Sequence, residues 1–418
     1  MKNRSIQNIY PEHPDKVLIN TLTAMETVDF SNTRKAFSLK NNKQLKFSYW
    51  LFRLMGNPSL VKFFSKMTLF SIKLGLPVRP LIKSTIFKQF CGGESLAESE
   101  KVITQLDKVH VGAILDYSIE GKEREEDFES TKNELLKVVQ LARSNKAVPY
   151  TSMKITGIVR SDLLSRKSAK AVLTQEEEKE WNLFLNRFDE ICSSCHDSEV
   201  PIYIDAEESW LQGAIDEVTE EMMRKYNKGK AIVQTTLQMY RWDRLSYLKK
   251  LIEWAGRENI FIGVKLVRGA YWEKENRHAD ESKVLSPVHQ LKSDTDADFD
   301  LAVDLCLENI NCVTLCAGTH NEASTMHLIH HMKELGIANG DTRVYCSQLF
   351  GMSDHITYNL AEAGYNVTKY LPYGPVQSVI PYLIRRAEEN TSIGGQMSRE
   401  LKLITVEKDR RKDQLLLH

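Results

Sequence analysis

Residues 369–390 read KYLPYGPVQSVIPYLIRRAEEN, and this stretch contains a complete strand–turn–helix unit. A short run of β-branched and aromatic residues ends in a turn that is marked by Pro372, Gly374 and Pro375. Ser378 is a good helix N-cap, which places Pro381 in the first turn, where its missing N–H costs little. The stretch therefore predicts a strand that leads directly into an amphipathic helix.

The same unit recurs along most of the chain upstream of this stretch. Runs rich in β-branched and aromatic residues alternate with longer polar stretches of helical periodicity. The runs are residues 112–117, 152–157, 202–206, 232–239, 261–267, 312–317, 343–349 and 367–371. Eight strand-then-helix units are typical of a (β/α)8 barrel of the TIM type. A doubly wound open sheet competes, but it would need a glycine-rich phosphate turn after its first strand, and GAILDYSIEGKE has none.

Composition and charge argue against a nucleic-acid-binding protein and against an exported one. The chain has 418 residues with 56 Lys+Arg and 56 Asp+Glu, so its balanced charge gives no support for nucleic-acid binding. Seven irregularly spaced cysteines indicate a reducing compartment. The N-terminus, MKNRSIQNIYPEHPDK, has no apolar core of a signal peptide and is not typical of a transit peptide. We therefore expect a bacterial-type cytoplasmic protein, and we keep open a peripheral contact with the inner membrane.

The sequence predicts three parts, namely a helical N-terminal region (1–100), the barrel (101–394) and a C-terminal tail (395–418). Residues 46–90 mix large apolar residues with Lys and Arg and contain no acidic residue. Such a segment usually packs on its own domain with extended lysine stems, but a basic amphipathic helix also binds anionic membranes. We expect packing first and keep a membrane role open, and no run is apolar enough to span a bilayer.

Polar residues at the ends of the predicted strands are candidates for a functional site, because barrel enzymes place their chemistry at those ends. They are Asp116, Lys154, Asp205, Glu207, Glu208, Gln238, Lys265, Arg268, Thr319, His320, Asn321, Gln348 and Tyr370. A buried Lys or Asp in a strand is costly unless it is paired, so each residue alone is better explained by a structural ion pair. Their presence at the ends of the predicted strands favours a site.

The helix after the eighth strand adds two adjacent arginines. Tyr382, Arg385, Arg386 and Glu389 fall at i, i+3, i+4 and i+7 on one helix face. Two neighbouring guanidinium groups can clamp a carboxylate or a phosphate. The alternative is a solvent-exposed face with one Arg385–Glu389 ion pair, and the helix alone favours that alternative.

Three short motifs suggest other chemistry but have the wrong context. Residues 192–196 spell CSSCH, a haem-attachment pattern, but they end a charged amphipathic helix in a chain without an export signal. His327 and His331 are spaced like metal ligands, but the segment lacks the glutamate of a zinc protease, so we expect no metal site. No GxGxxG turn is present, so a flavin or nicotinamide would be bound in another way.

Longer segments resemble the FAD-dependent proline dehydrogenases, and the resemblance runs from about residue 88 to 394. It is carried by IDAEES (204–209), LQMYRWDRLSYL (237–248), GVKLVRGAYWEKE (263–275), GTHNEAS (318–324), SQLFGMSDH (347–355) and residues 363–390. The resemblance implies oxidation of L-proline to Δ1-pyrroline-5-carboxylate, the first step of proline catabolism, by hydride transfer to the flavin N5. It also implies a membrane quinone as electron acceptor and a pyrroline-5-carboxylate dehydrogenase as the downstream enzyme.

The resemblance also implies roles for individual residues. Asp205 and Lys265 would be catalytic. The proline pocket would comprise Lys154, Leu349, Tyr370, Tyr382, Arg385, Arg386 and Glu389, with the two arginines on the substrate carboxylate. Non-covalent FAD would contact Ala206, Gln238, Lys265, Arg268, Gly269, Ala270, Tyr271, Thr319, His320 and Asn321.

Two positions bear on chemistry and specificity. Many bacterial members of the family have Arg where this chain has Lys265, and lysine is a point charge rather than a fork. Proline-specific members have a tyrosine at Tyr370, where hydroxyproline-oxidising relatives have a serine. We therefore expect proline as substrate. The alternatives are hydroxyproline or another cyclic imino acid, and a barrel that binds a carboxylate without catalysis.

Overall fold

A closed barrel of eight parallel strands forms the centre of the computed structural model, which describes residues 28–74, 77–117, 123–392 and 396–416. Each strand pairs with the next in sequence, and the last pairs with the first. The strands are β1 (Val111–Tyr117), β2 (Tyr150–Met153), β3 (Ile202–Ile204), β4 (Val233–Gln238), β5 (Ile262–Val267), β6 (Val313–Gly318), β7 (Val344–Leu349) and β8 (Val367–Tyr373). The predicted (β/α)8 barrel is confirmed, and the open sheet is excluded.

The second strand differs most from its predicted position. The sequence predicts residues 152–157, but β2 ends at Met153 and a short 3-10 helix follows at Ile155–Gly157. The Glu207 carboxylate accepts a hydrogen bond from the Thr156 backbone N–H at 3.0 Å, so this N–H is not available to a strand ladder. A side chain from the end of β3 thus ends the second strand.

The helices around the barrel bury their apolar faces against the outer side of the strands. Leu115, Val264 and Leu315 are outward-facing strand residues of this core. The helices are α6 (Leu96–Asp107), α7 (Glu125–Ser144), α8 (Ser161–Ser168), α9 (Gln175–Asp197), α10 (Ser209–Tyr226), α11 (Arg244–Glu258), α12 (Trp272–Ser282), α13 (Lys292–Glu308), α14 (Glu322–Glu334), α15 (Asp354–Glu362) and α16 (Val376–Ser392).

The interior of the barrel is packed and rich in tyrosine. Tyr150 and Tyr203 stack with their ring centroids 4.8 Å apart, and Tyr345 meets Tyr150 edge-on at 4.9 Å. Ile114 and Cys316 complete this inner core. Because side chains fill the interior, the chemistry is confined to the carboxyl ends of the strands, as in other barrels of this type.

The helix α16 begins earlier than the sequence predicts. The carbonyl oxygen of Pro375 accepts hydrogen bonds from the N–H groups of Ser378 and Val379 at 2.9 and 3.2 Å. Ser378 is therefore inside the helix, and its prediction as the N-cap is wrong. Gly374, with φ of 140°, turns the chain so tightly after β8 that the helix starts at once. Pro381 consequently lies in the second turn.

The remaining helices form a second core that packs around α16. They are α1 (Thr33–Ala36), α2 (Asn42–Met55), α3 (Pro58–Lys73), α4 (Arg79–Ile82), α5 (Lys88–Phe90) and α17 (Gln396–Leu416), with a π-helical turn at Lys83–Phe87. Phe52 and Phe90 of the N-terminal helices meet Leu383 of α16 and Ile404 of α17 in this core. Within the described ranges, no helix is long and apolar enough to cross a bilayer. The predictions about the first 27 residues lie outside the described part of the chain.

Candidate active site

A cavity of about 490 Å³ opens at the carboxyl ends of the barrel strands. Most of the residues that the sequence predicts for the site line its wall. They are Lys154, Asp205, Ala206, Gln238, Lys265, Arg268, Gly269, Ala270, Tyr271, Thr319, His320, Asn321, Leu349, Tyr370, Tyr382, Arg385 and Arg386. Glu389 lies in α16, but its side chain is outside the described part of the structure.

A buried polar cluster centred on Asp205 forms the floor of this cavity. The Tyr370 hydroxyl donates a hydrogen bond to Asp205 Oδ2 at 2.6 Å, and Lys265 Nζ bonds the other carboxylate oxygen. Lys154 Nζ lies 3.4 Å from Asp205 and 3.5 Å from Asp116. Strands β1, β2, β3, β5 and β8 thus each bring one charged or phenolic group to the same place.

The electrostatics of the cluster keep its central carboxylate charged. Burial alone would raise the pKa of Asp205, but the positive charges of Lys265 and Lys154 outweigh burial and lower that pKa to about 2. Lys265 Nζ also lies 5.0 Å from the Tyr370 ring centroid and 5.2 Å from that of Tyr203. The ammonium is therefore held between a carboxylate and two aromatic faces, which fixes its position.

The two arginines of α16 face the cavity, so the solvent-exposed alternative is excluded. Arg386 is 8% exposed, and its guanidinium lies 5.2 Å from the Tyr382 ring centroid. Arg385 extends over the ring of Tyr271 at 5.8 Å. Both side chains line the same cavity as Asp205. A ligand in this cavity therefore meets cationic forks on one side and the Asp205 cluster on another.

The turn after β5 brings the backbone of Gly269 close to the ring of Tyr240. Gly269 has φ of 132°, and a Cβ atom there would lie 2.5 Å from the ring of Tyr240. The neighbouring Arg268 donates to Asp296, to Thr319 Oγ1 at 2.6 Å and to Ser324 Oγ at 2.9 Å. The Ala270 N–H donates to Gln238 Oε1 at 3.3 Å. This turn is consequently rigid and can hold no residue other than glycine at its centre.

The segment Thr319–Asn321 after β6 is held from several sides. Gln348 Nε2 donates to the Thr319 carbonyl oxygen at 3.1 Å, and the Asn321 side chain caps α14. His320 Nδ1 lies 2.8 Å from Ser353 Oγ. Burial and the nearby charges of Lys369 and Arg386 lower the pKa of His320 to about 3, so this imidazole is neutral at working pH.

Comparisons with known proteins agree on the family. The family model for proline dehydrogenase matches residues 99–399. Proline dehydrogenase 1 (mitochondrial) of Dictyostelium discoideum is 31% identical over 426 residues, which cover 91% of this chain and 74% of the relative. The chain belongs to the proline dehydrogenase family. Family membership makes it a flavin oxidoreductase, and it confirms the resemblance that the sequence motifs indicate.

Other relatives of comparable similarity carry different names. Hydroxyproline dehydrogenase of Xenopus laevis is 30% identical over 414 residues, covering 90% of this chain and 88% of that protein. The carbapenem antibiotics biosynthesis protein CarD of Pectobacterium carotovorum subsp. carotovorum is 31% identical over 348 residues. The match covers 83% of this chain and 90% of CarD. Family membership therefore leaves the choice of imino acid to the residues of the site.

A solved structure supports the fold. Proline utilization A from Bdellovibrio bacteriovorus superimposes with a TM-score of 0.68 at 21% identity. The match covers 90% of this chain but 40% of that longer protein.

The cavity fits the FAD that proline dehydrogenases use. Among the described residues, its wall carries seven cationic side chains and two carboxylates, which are Asp205 and Glu322. The cations are Lys154, Lys265, Arg268, Lys292, Arg385, Arg386 and Arg399. An excess of positive charge suits a pyrophosphate together with a substrate carboxylate. Gly269, Ala270 and Tyr271 of the turn after β5 line the same wall.

Several residues of the wall were not predicted. Glu322, His355 and Arg399 line the cavity, and Ser152 Oγ donates to Asp205 Oδ1 at 3.2 Å. The sequence could have revealed Ser152, because it lies inside the predicted second strand two residues before Lys154. Arg399 has none, because it lies in a charge-rich helix beyond the predicted barrel.

The short motifs for haem and zinc have structural explanations. Cys192 and Cys195 are buried inside α9, and burial raises the pKa of the Cys195 thiol to about 12. His327 pairs with Asp304 at 2.7 Å and His331 with Glu334 at 3.0 Å. In the part of the chain that the structure describes, no cluster of His, Cys, Asp and Glu could hold a metal ion.

Proposed function

We propose that this protein oxidises L-proline to Δ1-pyrroline-5-carboxylate with non-covalently bound FAD. The observation that carries the proposal is the arrangement of one cavity, with Arg385 and Arg386 on one wall and the Asp205–Lys265–Tyr370 cluster on another. Proline is a small molecule with a carboxylate at one end of a ring and an amine within it. Its two polar groups match these two walls.

Arg385 and Arg386 would bind the substrate carboxylate. Arginine offers a planar fork that can donate two hydrogen bonds to a carboxylate, and burial strengthens these bonds. Arg386 is buried, and the Tyr382 ring lies against it. The ring limits the positions that the guanidinium can take. A carboxylate bound here would therefore enter with a defined orientation.

The Asp205 cluster would orient the ring end of the substrate. Asp205 is ionised at neutral pH because its pKa is lowered to about 2. Its hydrogen bond from Tyr370 fixes the phenol ring beside the cavity, so the ring can pack over an apolar pyrrolidine. Lys154 would balance the charge of Asp116 and Asp205, and Leu349 would contribute an apolar contact.

When bound, FAD supplies the position that accepts a hydride from the substrate. Lys265 would lie at the flavin N5 edge, where a fixed cation favours the anionic reduced form. Arg268 to Tyr271 would hold the pyrophosphate and ribityl parts, and Thr319 to Asn321 the remainder of the dinucleotide. Ala206 and Gln238 would border the isoalloxazine. No cysteine lines the described part of the cavity wall, and His320 is held by Ser353, so we take the cofactor to be non-covalent.

Tyr370 favours proline over hydroxyproline, which is the second candidate substrate because of the Xenopus relative. Both Asp205 and Ser152 contact the Tyr370 hydroxyl, at 2.6 and 3.3 Å, so the ring cannot move aside easily. A hydroxyl group on the substrate ring would compete with it for space. Adding atoms to a packed site costs about 1–3 kcal/mol.

The electrons would pass to a membrane quinone, with the N-terminal helices in contact with the bilayer. The structure divides the apolar residues of 46–90 into two sets, because Phe52, Phe87 and Phe90 are buried in the second core. Phe63 and Phe70 of α3 are 55% and 63% exposed and lie on one helix face with Met67. Lys62 and Lys66 are exposed on the same helix, so the face suits an anionic lipid surface.

Turnover with proline tests the proposed function. The purified protein is supplied with L-proline and a short-chain quinone, and both quinone reduction and Δ1-pyrroline-5-carboxylate are measured. We expect equal amounts of product and reduced quinone. A pyrroline-5-carboxylate dehydrogenase added to the assay should consume the product. A chain that binds proline but forms no product would instead be the non-catalytic carboxylate-binding barrel.

A further inference from the structure

The C-terminal helix α17 reaches the wall of the cavity, although it lies beyond the eight strand–helix units. Arg399 in its first turn lines the cavity. The next residue, Glu400, is 3% exposed and points its carboxylate inward, toward the loop that follows β7. Arg399 is the last residue that the family model matches, and Glu400 lies just beyond that match.

Glu400 is connected to His320 through Ser353. Glu400 Oε1 accepts a hydrogen bond from the Ser353 backbone N–H, and Ser353 Oγ lies 2.8 Å from His320 Nδ1. Ser353 is fully buried and has φ of 49°, a left-handed conformation that is unfavourable for a residue other than glycine. The Glu400 carboxylate therefore holds a strained residue whose side chain fixes the orientation of the His320 ring.

Arg399 makes a second connection to the same part of the wall. Its guanidinium donates two hydrogen bonds to the Glu322 carboxylate, at 2.8 and 3.2 Å. His355 Nε2 lies 3.0 Å from the same carboxylate. Glu322 is the first residue of α14 and directly follows Asn321. Both connections from α17 thus end beside residues 319–321.

These contacts are not needed to attach α17 to the protein. Leu403 and Ile404 of α17 are buried in the second core. Further along, the buried Glu407 binds Thr33 Oγ1 at 3.0 Å, and Arg411 donates to the Phe37 carbonyl oxygen at 2.9 Å. A buried carboxylate is costly in a place where apolar packing would be enough. The free-energy cost of burying the Glu400 carboxylate is explained if this residue positions groups of the cavity wall.

We propose that Glu400 and Arg399 are positioning residues for the cofactor end of the cavity, acting on His320 through Ser353 and on Glu322 directly. This inference rests on the proposed function, because it assumes that residues 319–321 contact FAD. The C-terminal helix is then part of the cofactor site, and its first turn sets how tightly FAD is held.

The dissociation constant of FAD is the measurement that tests this inference. Apoprotein is titrated with FAD, flavin fluorescence is followed, and the Tm of the apoprotein is measured alongside. We expect Ser353→Ala to raise the Kd about five- to tenfold, the equivalent of one hydrogen bond. Glu400→Gln keeps an acceptor oxygen but loses the charge, so it should raise the Kd about three- to fivefold. The Tm should stay near that of the unaltered apoprotein. Asp409→Asn, an exposed carboxylate on the same helix, is the matched control and should leave the Kd unchanged.

The second connection is tested in the same titration. Arg399→Gln should raise the Kd, and Arg399→Lys should restore part of the affinity because it keeps the charge but loses the fork. A merely structural role would lower the Tm of the apoprotein and leave the Kd of the folded fraction unchanged. That result would overturn the inference.

A double-mutant cycle tests the route through His320. If Glu400 acts through that ring, Glu400→Gln should have no further effect on the Kd in a His320→Ala background. Additive effects would overturn this route. An unaltered chain that binds no FAD would overturn the proposed function and this inference together. An unaltered chain that binds FAD, with variants whose Kd stays within twofold, would overturn this inference alone.

Discussion

Asp205 is the central residue of the polar cluster at the carboxyl ends of the barrel strands. Its carboxylate contacts Lys265, Lys154 and Tyr370, and each of these side chains comes from a different strand. A lone buried carboxylate would be unstable, but one that is shared among two cations and a phenol stays ionised. A rigid, charged centre of this kind can orient a substrate without moving.

Arg386→Met should weaken proline binding while the flavin remains bound. A buried, charge-assisted pair of hydrogen bonds is worth on the order of 2–4 kcal/mol, so the KM for proline should rise well over tenfold. The visible flavin spectrum should change little. Arg257→Met, an exposed arginine on α11, is the matched control. An unchanged KM in Arg386→Met would mean that the arginine pair does not bind the substrate.

Tyr370→Ser should reduce the discrimination against trans-4-hydroxy-L-proline. The unaltered protein should prefer proline by at least roughly tenfold in kcat/KM, because a 4-hydroxyl group would clash with the phenol ring. The serine variant should lose proline activity and narrow that ratio. Tyr370→Phe keeps the ring but loses the hydrogen bond to Asp205 that holds it, so the preference should shrink less than in the serine variant. Equal activity of the unaltered protein on both imino acids would assign the discrimination to another residue.

Glu207 should make the stability of the protein depend on pH near neutrality. Burial, reinforced by Glu208 and opposed by Thr156 and Lys154, raises the pKa of Glu207 from 4.5 to about 7. The folded chain then keeps a proton that the unfolded chain loses, so stability falls as pH rises from about 4.5 to 7. The raised pKa corresponds to roughly 3 kcal/mol.

Glu207→Gln removes this titration while keeping a hydrogen-bonding side chain beside Thr156. Urea unfolding between pH 5 and 8 should give midpoints that fall with pH more steeply in the unaltered protein than in the variant. Parallel curves for the two proteins would show that Glu207 has an ordinary pKa in the folded state.

At the scale of elements, hydrophobic pattern was enough to locate the strands and most helices. It could not locate the end of β2, because a tertiary contact from Glu207 to Thr156 sets it. It placed the N-cap of α16 at Ser378, because the sequence marks a turn at Gly374 but does not show how tightly the chain turns there. The role of α17 was beyond prediction, since Glu400 and Arg399 meet their partners only in the folded chain.

The exposed face of α3 carries the prediction about membranes. Sedimentation with vesicles of phosphatidylglycerol and phosphatidylcholine should recover the protein in the pellet, and salt should weaken this binding. Phe63→Ser combined with Phe70→Ser should reduce the bound fraction severalfold, because each exposed ring contributes apolar area to the contact.

Leu183→Ser combined with Leu301→Ser is the matched control for these rings, because both leucines are about half exposed on barrel helices. This control should bind vesicles like the unaltered protein. Equal recovery of all proteins in the supernatant, with and without vesicles, would contradict the membrane contact and leave α3 as a surface of another kind.

At the scale of the whole molecule, the N-terminal helices and the C-terminal helix of the described chain pack together beside α15 and α16. Lys40, ahead of α2, pairs with Asp354 at the start of α15, and Arg411 of α17 reaches Phe37. The second core thereby fixes α16, which carries the arginine pair. The barrel positions the Asp205 cluster, and the appended helices position the groups that face it.

The central claim is that proline reduces a flavin held in the barrel cavity, and anaerobic titration of the purified protein with L-proline tests it most directly. We predict a protein with a flavin absorption band that proline bleaches, and acid precipitation that releases the yellow cofactor into the supernatant. Colour retained by the precipitate would contradict non-covalent binding. A flavin band that excess proline leaves unchanged would contradict the claim itself.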